Sequence, residues 1–178
     1  MGDVEAAAAG HFMALAVQYL VAGRAAAALN LSIISGNLLH HAIEMELKSL
    51  LVTDIGLEKL RKRKYGHNLA SLWLAAVVRQ SDLASSARQA TIEQLDRFES
   101  LRYPDDMIEQ GAAVRLGWTA ADPLPAMTVP SFDLVMEDID ELFQAIFVAT
   151  GRNPLISLAG LSEDALATLR DRNRYPVG

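Results

Sequence analysis

Apolar residues recur at helical spacing through most of the chain. Phe12, Leu15, Ala16, Tyr19, Leu20 and Gly23 follow the i, i+3, i+4, i+7, i+8 rhythm of one buried stripe, which predicts a first helix from about Val4 to Leu29. Gly23 lets a neighbour approach that helix closely. Leu39, Ile43, Leu47, Leu50 and Leu51 predict a second helix, beginning near Ser32 or Ser35, reaching about Thr53 and ended by Gly56. Leu69, Leu72, Trp73, Ala76 and Val77 predict a third from about His67 to Arg79. Ser81, Ser85 and Ser86 supply caps for a fourth from about Ala84 to Leu101, with Ala87, Ile92, Leu95, Phe98 and Leu101 inward.

Punctuation then replaces periodicity. Pro104 disfavours helix at Tyr103, and Gly111, Gly117, Pro123, Pro125 and Pro130 break the stretch from Asp105 to Ser131. Within it, Val114 to Trp118 and Ala126 to Val129 predict a short hairpin. Ser131 reads as the N-cap of a last long helix to Thr150, with Phe132, Val135, Ile139, Leu142, Phe143 and Ile146 inside and Gly151 closing it. A short helix from Leu161 to Arg170, capped by Ser162, completes the chain. The expected fold class is all-α, an antiparallel bundle of four to six helices in one domain.

Composition narrows the function classes. Cysteine is absent from the 178 residues, which removes disulfides, thiolate zinc sites and a cysteine nucleophile and fits a reducing compartment. Net charge is −6, against a protein that coats nucleic acid wholesale but not against a local basic patch. Ala6 to Gly23 and Ala25 to Ile43 carry no charge, yet alanine gains little in hydrocarbon and both runs are interrupted by polar residues. Asp3 and Glu5 stand where a signal peptide needs positive charge. A cytoplasmic protein without a membrane partner is the expectation.

The chemistry-bearing residues are few. Neither a phosphate-cradling glycine loop nor a GxSxG elbow occurs, and the four histidines are His11, His40, His41 and His67. His40, His41, Glu44 and Glu46 cluster on the second helix, but a metal needs at least three convergent ligands and no HExxH or partner ExxH run supplies them. They read as a partly exposed polar stripe, and no metal or cofactor is expected. Glu44 and Lys48 form a favourable i,i+4 pair. Arg61, Lys62, Arg63 and Lys64 lie in succession just before Gly66 and His67, so an anion meets both cations and the N-terminal amides of the next helix. Lys48 and Lys59 extend this patch if the fold gathers them. Arg102 offers its fork to a phosphate or to an internal carboxylate. Asp133, Glu137, Asp138, Asp140 and Glu141 make the last long helix acidic, so it must lie away from the patch.

Three segments together resemble the HEPN domain family. Ala42-Ile43-Glu44-Met45-Glu46-Leu47-Lys48-Ser49-Leu50-Leu51 is similar to the family's acidic, lysine-containing second helix. Gly66-His67-Asn68-Leu69 is similar to its Gly-His-Asp-Leu approach to the next helix, and Leu101-Arg102-Tyr103-Pro104-Asp105 to its Arg-Tyr-Pro-Asp signature. Asn68 stands where Asp is frequent, and Phe98 where a tyrosine often is. The resemblance spans about Ala14 to Ile146 and implies an antiparallel bundle that dimerises through its helices, here the first and last long ones. It further implies a nucleotide- or RNA-binding module, in a defence or toxin-antitoxin setting.

Ribonuclease members of the family carry Arg and His with four to six residues between them near the start of a late helix. The pair at that spacing here is Arg61 and His67, in the connector before the third helix, so a noncatalytic binder is the leading expectation. A divergent metal-independent endoribonuclease using Arg61 and His67 is the first alternative. A structural or protein-interaction dimer module is the second. The expected ligand-binding residues are Arg61, Lys62, Arg63, Lys64, His67 and Arg102.

Overall fold

A computed structural model describes residues 2–102, 105, 108–109, 111–120 and 128–175, with Arg102 described by its backbone only. The fold is all-α apart from one two-stranded sheet. Helix α1 (Gly2–Ala28) and α2 (Ser32–Ile55) form a long antiparallel hairpin, turned at Asn30, whose φ of 59° lies in the left-handed region that asparagine tolerates. After the single turn α3 (Leu57–Leu60) come α4 (Leu69–Arg79) and α5 (Ser86–Phe98), the latter running on into a 3-10 turn at Glu99–Arg102. Strands β1 (Ala113–Gly117) and β2 (Ser131–Val135) precede α6 (Met136–Thr150), α7 (Pro154–Leu158) and α8 (Glu163–Arg170).

Helix α2 is the centre of the molecule. It packs against α1 along its length and against α4, α5, α6 and β1 elsewhere, so Leu39, Ile43, Leu47, Leu51 and Val52 are fully enclosed. Each such side chain is worth about 1.5–3 kcal/mol relative to exposure. Close approach is built into the sequence at two glycines. A Cβ on Gly23 would lie 2.9 Å from the Leu39 side chain, and one on Gly36 would lie 2.1 Å from the Phe98 ring. Leu39 and Phe98 occupy the space those Cβ atoms would need.

The buried stripe of α1 is rotated from the predicted one. Ala9, Met13, Ala16, Val17 and Leu20 face α2, while Leu15 remains 42% exposed. By length and composition α1 is apolar enough to cross a membrane, and here its apolar stripe is covered by α2. Arg24 belongs to the same buried face. Its guanidinium grips Asp140 of α6 through both carboxylate oxygens, donates from Nε to the Thr168 carbonyl at 2.9 Å and bonds the Asp171 carbonyl. One arginine thereby ties the first helix to α6 and to the end of α8. Burial pushes the Asp140 carboxyl up while the arginine pulls it down, so the pair secures geometry more than it adds stability.

The predicted hairpin is replaced by a parallel pair. Ala113 to Gly117 align with Ser131 to Val135 in register, and Arg115 pairs with Asp133 directly opposite. Part of the predicted partner, Ala126 and Met127, lies outside the described residues. Ser131 is consequently not a helix cap: Phe132 and Leu134 point into the core at strand spacing, and α6 starts at Met136. Ala87 of α5 is exposed rather than inward, whereas Ile92, Leu95, Phe98 and Leu101 are buried as predicted.

Candidate functional site

Glu44 is the hub of the polar groups in the bundle. As residue i+4 from His40 and i+3 from His41 it shares their face of α2, and its side chain is fully buried. Oε1 accepts from Lys48 Nζ at 2.5 Å; Oε2 lies 3.2 Å from His41 Nδ1 and 3.2 Å from His67 Nδ1. Burial raises the pKa of such a carboxyl, but the bonds from His41 and Lys48, the Lys48 charge and His67 outweigh it and hold Glu44 down to about 2. Of the cluster, His41 alone is partly exposed, and the other three residues are buried rather than part of a partly exposed stripe. His40 is 1% exposed, Glu44 and Glu46 are 0% exposed, and Lys48 is 7% exposed.

Lys48 consequently leaves the basic patch. Its ammonium bonds Glu44 and the Gly66 carbonyl, both at 2.5 Å, and so fixes the connector onto α2. His67 is anchored by the same carboxylate, while its own side chain is 64% exposed. The cap of α4 is Asn68, whose Oδ1 accepts from the Ser71 N–H at 2.6 Å. Asp96 Oδ1 takes the Leu69 N–H at 3.0 Å. These two oxygens take two of the helix-start amides expected to greet an anion, those of Leu69 and Ser71.

The cations remain. A cleft of about 420 Å³ is lined by Arg61, Arg63, Gly66, His67, Asn68, Asp96 and Glu99. Among the described residues neither the Arg61 nor the Arg63 guanidinium has a hydrogen-bonding or ionic partner. Lys62 pairs with Glu58 at 3.5 Å and Lys64 lies 5.0 Å over the Tyr65 ring, and neither lines the cleft. Lys59 lines a neighbouring cavity of about 680 Å³ that Arg61 also borders. The Arg102 side chain, Tyr103 and Pro104 lie outside the described residues. Four of the five acids of α6 and its approach are engaged elsewhere: Asp133 with Arg115, Glu137 with Arg174, Asp140 with Arg24 and Glu141 with Arg88. The Arg88–Glu141 pair and Asp82 line a separate cavity of about 560 Å³.

His40 faces inward beside this site. Its Nδ1 bonds the Leu95 carbonyl at 3.0 Å, and its Nε2 lies 3.8 Å from both Glu44 Oε2 and Glu99 Oε2 without a hydrogen bond. Burial lowers its basicity, against the opposing pull of the carbonyl and the two carboxylates. The neutral ring with its proton on Nδ1 follows. In comparison with known proteins, no family model, no curated protein and no solved structure matches the chain.

Proposed function

We propose that the chain is a divergent HEPN-like module that binds a phosphate-bearing ligand, RNA or a nucleotide, in the cleft of Arg61, Arg63 and His67. The carrying observation is two guanidiniums without partners beside an exposed imidazole in one concave site. A charge-assisted hydrogen bond contributes about 1.5–3 kcal/mol, so two arginine contacts suffice to capture a phosphate group. The family reading gains support from contact between two of its resembling segments: Glu44 and Lys48 reach His67 and the Gly66 carbonyl. A cytoplasmic homodimer through α1 and α6 belongs to this proposal, and Leu15 and Val148 leave apolar surface on those helices for it.

The test is direct binding of a labelled single-stranded RNA and, in a separate arm, of ATP. Replacing Arg61 and Arg63 with alanine is expected to weaken the preferred ligand at least about ten-fold, and Lys62→Ala with Lys64→Ala far less. Equal affinity of the arginine variant and the wild type overturns the proposal. A second reading rests on the Glu44–His67 contact, in which a buried anion orients an imidazole beside two arginines. His67 then takes the proton of an attacking 2′-hydroxyl while the arginines hold the phosphate; the 2′-oxygen bonds phosphorus, the bond from phosphorus to the 5′-oxygen breaks, and the departing 5′-oxygen takes a proton from water. RNA cleavage in the presence of a chelator, lost in His67→Gln with binding retained, supports it; cleavage unchanged in His67→Gln rejects it.

A further inference from the structure

Three of the four histidines surround one carboxylate, and one imidazole nitrogen there has no satisfied role. His40 Nε2 is sealed from water, and a buried acceptor without a donor is destabilising. We propose that His40, His41 and Glu44 bind a divalent transition-metal ion, with zinc the best match to two imidazoles and a carboxylate.

The geometry is that of a ligand set. Four-coordinate zinc with bonds near 2.0–2.1 Å sets its ligand atoms roughly 3.3 Å apart. Glu44 Oε2 lies 3.2 Å from His41 Nδ1 and 3.8 Å from His40 Nε2, and the three donors fall within 4.8 Å of one another. Small side-chain rotations close the difference. The partners that orient metal ligands are also in place. The Leu95 carbonyl holds His40 Nδ1, leaving Nε2 as the lone-pair nitrogen. Lys48 holds Glu44 Oε1, leaving Oε2 for the ion. Its ammonium repels a cation, and the Glu99 carboxylate, 3.8 Å from His40 Nε2, offsets that charge. An ion reaches the site past His41, which is 24% exposed, and the fourth position falls to His67 or water.

This site does not depend on anion binding, because neither Arg61 nor Arg63 touches the three ligands. It does compete with His67 for Glu44 Oε2, so bound zinc suppresses the proton-transfer role of the second reading. Chelator-treated full-length protein is titrated with zinc alone and with cobalt alone. One ion per chain is expected, with a cobalt absorption spectrum of nitrogen and oxygen ligation. His41→Asn should weaken affinity at least about ten-fold, whereas His11→Asn, altering the one histidine away from the cluster, and the double arginine variant should leave it unchanged. In wild-type protein, zinc should shift the imidazole nitrogen resonances of His40 and His41 and spare those of His11. Absence of saturable binding, or shifts confined to His11, overturns the proposal.

Discussion

Glu44 and Glu46 stand two residues apart on one buried helix, and their surroundings treat them oppositely. Glu44 has three hydrogen-bonding partners and titrates at about 2. Glu46 is fully buried with neither oxygen bonded among the described residues, so burial raises its pKa well above the ordinary 4.5. The sign of its effect on stability follows. The folded state keeps the proton that the unfolded state releases, so stability falls as pH rises above 4.5, by up to ~1.4 kcal/mol per pH unit until the folded group ionises. Glu46→Met keeps the volume and removes the polar group. Urea unfolding should show the variant more stable than wild type by at least about 1 kcal/mol at pH 7, with a smaller advantage at pH 4.5. A variant less stable at neutral pH would show that Glu46 has a partner. At this scale the sequence announces which residues share a face of α2, because spacing alone determines that. It does not announce burial, which depends on the elements packed around the helix.

Elements differ in how much local signal they carry. The helices α2, α4 and α6 contain apolar residues at helical spacing, and their inward residues were readable one by one. Segment Ser131–Val135 reads as the start of a helix because Phe132 and Val135 also fit a three-residue spacing. The alternation of Phe132 and Leu134 is equally present there, and pairing with β1 decides between the two. A parallel partner many residues upstream leaves no local trace. Gly36 is the complementary case: its need for a hydrogen in place of a Cβ comes from Phe98, on a different helix. Gly36→Ala gains helix propensity of about 0.8–1 kcal/mol, but it forces the Phe98 ring aside at an expected cost of about 1–3 kcal/mol. Thermal unfolding should therefore show net destabilisation, whereas a raised melting temperature would mean that the α2–α5 contact yields.

Across the whole molecule, the candidate site arises where α2, the connector after α3 and the end of α5 meet. The sequence showed Arg61, Arg63 and His67 as neighbours in a basic run, and the fold keeps them together by clamping Gly66 and His67 onto α2. It also withdraws Lys48 into the interior and brings Asp96 and Glu99 to the same cleft, choices that only tertiary packing makes. The resulting surface is mixed in charge, with its cations on the connector. The most direct measurement is the salt dependence of binding to single-stranded RNA, by fluorescence anisotropy, for wild type and the Arg61→Ala, Arg63→Ala double variant. Each phosphate contact adds about 0.7 to the magnitude of the slope of log affinity against log salt, so the variant's slope should be shallower by about 1.4. Identical slopes and affinities for the two proteins would contradict the assignment of the cleft.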